Sequence, residues 1–202
     1  VYDIHDGEIM PTLENRRKIA KTIREWKADV VIAHRPNDYH PDHRYTGILV
    51  QDAAFMLIVK SFMPLVPNLT KNPVFLYTED GFQKPNPMDP DIVVSIDSVM
   101  DQKIDALWEL ESQIESYWAT RDFESVVPVP PSGPEREARK AGLAQRMKVR
   151  YGNIANRFRD KLIELYGRKI GSEVKYAEAF ELCEYGLRTS GDELMELFPF
   201  FG

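Results

Sequence analysis

The stretch Asp29-Val30-Val31-Ile32-Ala33-His34-Arg35-Pro36-Asn37-Asp38-Tyr39-His40-Pro41-Asp42-His43 decides how the chain folds. Its first six residues are a short apolar, β-branched run, the pattern of a strand buried on both faces. The run ends in a polar turn that carries three of the four histidines of the protein. Upstream, Thr12 offers a hydroxyl N-cap to a helix reaching about Lys27, with Leu13, Ile19, Ile23 and Trp26 on one apolar face. Downstream, a second helix is expected from about Tyr45 to Lys60. Helix, buried strand, loop, helix is the rhythm of an α/β layer with a mostly parallel sheet.

Further along, Val74–Thr78 and Asp91–Ile96 read as two more strands. The proline-broken segment between Thr78 and Pro90 is long enough to be a functional loop. Met100, Ile104, Leu107, Leu110, Ile114 and Tyr117 recur at helical spacing and predict a helix over 98–118. After a proline-rich turn at 127–134, one long helix is expected over 135–166, and Tyr176–Glu184 is expected to be a late strand. There is no internal repeat. The expectation is a single α/β domain over 1–202, a Rossmann-like three-layer sandwich extended by the long C-terminal helix.

The chain has 202 residues, with 26 Lys and Arg against 32 Asp and Glu and a formal net charge of -6. An acidic chain is repelled by phosphate backbones and anionic headgroups, so neither nucleic acid nor an anionic membrane is expected as a main partner. No stretch reaches the roughly 18 apolar residues that a membrane span needs. A cytoplasmic location is expected, with export left open. The single cysteine, Cys183, lies in an apolar run and reads as a small buried hydrophobe. The aromatics Phe198, Phe200 and Phe201 fit either an interface between copies or a tail folded onto its own core.

The turn holds the chemistry. His34, His40 and His43 stand with Asp38 and Asp42 at the C-terminal end of the expected strand, where open α/β sheets bind their ligands. Pro41 fixes its own φ and pushes His40 toward an extended conformation, so the side chains of His40-Pro41-Asp42-His43 are aimed by a stiff turn. Imidazole and carboxylate are the usual zinc donors, and the same groups act as acids and bases. Two histidines in such a turn also suit solvated surface groups or caps of the following helix, and spacing alone does not separate these roles.

The run from Asp29 to Arg44 closely resembles the second signature of the PIG-L/LmbE family, metal-dependent de-N-acetylases of N-acetylglucosamine-type sugars. Thr46-Gly47 and Gln51-Asp52-Ala53-Ala54 resemble the helix after that signature. Phe82-Gln83-Lys84-Pro85-Asn86-Pro87 with Pro90-Asp91-Ile92-Val93-Val94 resembles a loop and strand of one branch. Lys103, Ala106-Leu107, Ser112-Gln113 and Lys175-Tyr176-Ala177-Glu178-Ala179-Phe180 resemble later elements.

The resemblance implies an LmbE-like fold and a zinc-dependent N-deacetylase, with another divalent metal as a variant, acting on a small-molecule or glycoconjugate substrate. His43 would bind the metal. His40 would be the cationic acid that stabilises the oxyanion, and Asp42 would bond to His40 and orient it. From the residues themselves, Asp38 is expected to fix the turn by bonding nearby backbone N–H groups. Tyr39 is expected to pack beneath the loop and His34 to satisfy a hydrogen bond at the strand end.

Two departures from the family stand out. Its first signature, His-Pro-Asp-Asp-Glu, which supplies further metal ligands and the general base, is absent. His5-Asp6-Gly7-Glu8 does not replace it, because it better resembles the Asp-Gly segment before the first helix. Leu110 stands where many members carry a histidine before Ser-Gln. The expectation is a chain lacking N-terminal βα units of such an enzyme. A metal-free sugar-binding or assembly protein of the same fold is the alternative.

Overall fold

The computed structural model describes residues 1–115, 127–189, 191–199 and 201. Helix α1 (Leu13–Trp26) begins where Thr12 Oγ1 accepts the Asn15 amide at 3.2 Å. It stops at Lys27, whose φ of 49° places it in the left-handed region, with its N–H bonded back to Arg24 O. Strand β1 (Val30–Ala33) follows, then α2 (Pro41–Met56), β2 (Val74–Thr78), β3 (Ile92–Ser95) and α3 (Met100–Trp108). The short α4 (Glu111–Glu115) precedes α5 (Pro134–Arg157), α6 (Arg159–Gly171), β4 (Ala177–Cys183) and α7 (Gly191–Leu197).

The four strands form one sheet in the order β1-β2-β4-β3. Strands β1 and β2 are parallel, with Val30 opposite Val74 and Ala33 opposite Tyr77. Strand β4 runs antiparallel to β2, with Phe75 opposite Cys183 and Thr78 opposite Phe180. The sheet is therefore mixed, with β1 and β2 parallel, and the mostly parallel expectation is met in part. Alternation of side chains along a strand reports which face each residue takes and carries no information on strand direction.

Helix boundaries also differ, and α2 ends at Met56 where about Lys60 was expected. Helix α2 starts at Pro41, four residues before the expected Tyr45, because proline at N1 is pre-set for a helix and the His40 ring caps it. The helix expected over 98–118 breaks at Glu109, where Leu110 N–H bonds to Leu107 O. Such a three-residue step keeps the apolar spacing running across the break. Residues 116–118 of that expectation lie outside the described residues. The single helix expected over 135–166 is two helices divided at Phe158, whose φ of −111° leaves the helical region.

The chain forms two compact units, Val1–Ile92 with Ala179–Gly202, and Val93–Glu178. In the first, Ala20, Ile23, Ala33, Val50, Ala53, Ala54, Leu57, Phe75 and Cys183 make the core. Cys183 is the small buried hydrophobe expected. Arg24 is buried under the C-terminal end of α2, donating to the carbonyls of Met56, Leu57, Val59, Met63 and Val66. A cation at the C-terminal end of a helix also suits the helix dipole. Phe198 is buried and its ring lies 6.5 Å from Phe180, so this residue of the tail packs on its own unit, while Phe200 lies outside the described residues. In the second unit, Ile96, Met100, Ile104, Trp108, Ile114, Leu143 and Met147 pack together. Among the described residues no helix is long and apolar enough to cross a membrane.

Candidate functional site

Strand β1 delivers His34 to its C-terminal end, and the turn to α2 brings His40 and His43 beside it. All three belong to the first compact unit. Close approach of the helix to the strand end depends on Gly47: a Cβ there would lie 2.6 Å from His34 O and 3.4 Å from Arg35 O. Only a residue without a side chain fits that gap.

His40 is the N-cap of α2, and its Nδ1 accepts the Asp42 amide at 3.2 Å. A ring that accepts through Nδ1 holds its remaining proton on Nε2. Asp42 is 7% exposed, and its carboxylate accepts the amides of Gly7 at 2.7 Å and Ile9 at 3.2 Å. The resemblance implies that Asp42 bonds to His40 and orients it. The contact runs through the backbone amide of Asp42, because its carboxylate is engaged by the N-terminal segment. That same segment sets Asp6 Oδ1 3.8 Å from His40 Nε2, although Asp6 itself is largely exposed.

Asp38 fixes the turn as expected, accepting the His40 amide at 2.9 Å on Oδ1. The same oxygen lies 3.1 Å from His43 Nδ1. His34 differs from expectation: its ring stacks on His43 with centroids 4.3 Å apart and planes 9° from parallel. Burial pushes its pKa below the usual histidine value, and the facing His43 adds to the effect. Tyr39 also differs, being 70% exposed and not packed beneath the loop. It presents its ring edge-on at 5.8 Å to both His40 and His43.

Arg35 is a buried side chain beside the turn to which the sequence reading gave no role. It is 3% exposed and donates to Asp80 Oδ1 at 3.1 Å, Phe82 O at 3.4 Å and Asn86 O at 2.6 Å. Its Nε lies 3.8 Å from Glu181 Oε2. The guanidinium thereby ties the 78–90 loop beside the histidine turn, and Asn37 adds a bond to Lys84 O at 3.4 Å. Its place directly after the strand end, in the run that carries the histidines, was the available signal.

Two groups could hold a metal ion: His34, Asp38 and His43, and Asp6, His40 and Asp42. A shared ion needs donor lone pairs that converge within both ring planes, and the near-parallel stack of His34 on His43 points them side by side. The first group therefore fits a metal at His43 without His34 as co-ligand. With Nδ1 occupied by Asp38, the His43 nitrogen open to a metal is Nε2. In the second group the Asp42 carboxylate is already engaged. The donors fit one histidine position of a metal site, and a catalytic zinc takes three protein ligands.

Residues 1–54, which include α1, β1 and the histidine turn, match a family model described as PIG-L: GlcNAc-PI de-N-acetylase. This stretch is similar to the PIG-L family. The fold is similar to N,N'-diacetylchitobiose deacetylase from Pyrococcus horikoshii in complex with an inhibitor. The TM-score is 0.56 at 18% identity, over 94% of this chain and 60% of that one. It is also similar to the conserved protein TT1542 from Thermus thermophilus, with a TM-score of 0.55 at 22% identity over 92% of this chain and 65% of that one. A third similar structure is the 4-carboxy-2-hydroxymuconate hydratase GalB from Pseudomonas putida. There the TM-score is 0.55 at 18% identity, over 89% of this chain and 61% of that one. These similarities bear out the expected LmbE-like α/β fold. The chain spans 60 to 65% of the length of these structures.

Proposed function

We propose that the chain serves a metal-dependent hydrolase that removes the acetyl group from an N-acetylglucosamine-type sugar or glycoconjugate. The observation that carries this reading is the paired display of His40 and His43 within the PIG-L-like segment, ring centroids 4.9 Å apart at the end of β1. Amide hydrolysis requires an activated water and a donor where the oxyanion develops. A bound zinc lowers its water's pKa to about 7 and polarises the amide carbonyl. Imidazole and carboxylate donors serve zinc, iron and cobalt alike, so zinc is the first metal to test and not the sole one.

The residues divide the work. His43 offers Nε2 to the metal. His40 holds its proton on Nε2, because Nδ1 is occupied by the Asp42 amide, and that N–H is the donor for the oxyanion. Charging the ring would set a second donor against the Asp42 amide, so a cationic His40 first has to release its cap. Asp42 anchors the Gly7–Ile9 turn against the start of α2. Tyr39 offers an exposed ring face beside both histidines, suited to stacking on a sugar.

The test is acetate release from N,N'-diacetylchitobiose by the zinc-loaded full chain, with His40→Ala and His43→Ala beside it. His43→Ala is expected to lose both zinc and acetate release. His40→Ala is expected to keep zinc and lose about 100-fold or more in rate. A second reading, a metal-free sugar-binding or assembly protein, is favoured by the single histidine position that the described donors supply. A zinc-replete preparation holding no metal would decide for it. Metal without acetate release would assign the site to other chemistry on this fold.

A further inference from the structure

We infer that Asp38 is the positioning residue that fixes the tautomer and direction of His43, leaving Nε2 as its one open donor. This rests on the reading of His43 as the metal-binding histidine. Asp38 Oδ1 lies 3.1 Å from His43 Nδ1, and the Asp38 side chain is 9% exposed. An ionised carboxylate has no proton to give, so Nδ1 is the donor in this bond and the lone pair belongs to Nε2.

The carboxylate is itself held. Its Oδ1 accepts the His40 amide at 2.9 Å, and Arg44 Nη1 donates to the Asp38 and Tyr39 carbonyls, each at 2.8 Å. The ring it orients is further confined by the His34 stack at 4.3 Å and the Tyr39 edge at 5.8 Å. Asp38, His34 and Tyr39 thus converge on one imidazole, and Arg44 braces the turn that carries Asp38. A hydrophobic or purely structural histidine has no need of this. Carboxylates behind ligating histidines raise ligand basicity, and their loss costs about 10- to 100-fold in metal affinity.

Asp38→Asn separates positioning from folding. Its amide oxygen still accepts the His40 N–H, so the turn keeps its bond, while the negative charge behind His43 is gone. The experiment uses the full chain labelled with ¹⁵N-histidine, at a pH where the ring-nitrogen shifts themselves show neutral imidazoles. Ring-nitrogen spectra are expected to show His43 protonated on Nδ1 and bare on Nε2. Titration with zinc is expected to show about 10- to 100-fold weaker binding for Asp38→Asn, with unchanged circular dichroism and thermal midpoint.

A His43 ring protonated on Nε2 in the parent protein overturns the inference whether or not metal binds. Equal zinc affinity in the parent and Asp38→Asn overturns it as well. A parent protein that binds no zinc counts against the proposed function. In that case the ring-nitrogen spectrum alone decides the inference.

Discussion

Glu181 sits where one carboxylate serves several neighbours. Its Oε2 accepts the Asp89 amide at 3.3 Å and lies 3.8 Å from Arg35 Nε. Burial nonetheless raises its pKa above the usual carboxylate value, and the nearby Asp91 and Asp89 act in the same direction. A raised carboxyl binds more protons folded than unfolded, so its contribution to stability is complete below the unfolded pKa. It is lost as pH rises through the folded value. Glu181→Gln keeps an acceptor for the Asp89 amide and removes the charge. Its thermal midpoint should rise by no more than about 4 °C at pH 7 and not rise at pH 4, as read by melting curves at the two pH values. At this scale the sequence told which residue types gather at the turn and not which atom meets which. Asp42 pairs with His40 through its amide because Gly7 and Ile9 claim its carboxylate, and no local pattern announces a partner that far along the chain. Asp38 was legible because an Asx turn is a two-residue event.

Helix α2 carries the site because it begins inside the histidine turn. His40 at the N-cap, Pro41 at N1 and Asp42 in the first turn are one nucleus for helix and chemistry together. The spacing of its apolar residues predicts the helix body well and its start poorly, since the first turn is polar. Gly47 then lets the helix approach β1. Gly47→Ala places a methyl against His34 O at 2.6 Å, a backbone atom that cannot swing aside. The variant should lose about 1–3 kcal/mol by urea denaturation and bind zinc more weakly, since the helix can only relieve the contact by moving His43. Unchanged stability with unchanged zinc binding would mean that α2 and β1 are not held in this register by that contact. Arg24 belongs to the same scale. One buried guanidinium finishes the other end of α2, a tertiary cap that the sequence of α2 does not contain.

Across the whole chain, the candidate site lies within the first compact unit, and the second has supports of its own. Tyr166 Oη accepts the Ser95 amide at 3.0 Å, and Asp97 accepts the amides of Lys175 and Tyr176. Lys103 pairs with Glu178 at 2.7 Å with its ammonium 4.9 Å from the Tyr151 ring centre. Tyr166→Phe leaves a half-buried amide without its acceptor and should cost about 1–3 kcal/mol in denaturant unfolding. Zinc affinity at His43 should be unchanged. A loss of zinc affinity in that variant would show that the second unit bears on the site.

The sequence by itself determined where the strands and helices lie, the stiff histidine turn and its likeness to the PIG-L signature. These are local properties, set by side-chain period, proline geometry and adjacent residue types. It did not determine burial throughout: Ile32 of β1 and Leu13 and Trp26 of α1, expected inside, are 49%, 48% and 82% exposed. Tertiary structure alone decided the antiparallel entry of β4, the stacking of His34 on His43, the burial of Arg35 and the choice of partner for each carboxylate. Period and propensity specify which face a residue takes. Which atom waits on the other side depends on how distant segments pack, and only the folded chain brings those segments together.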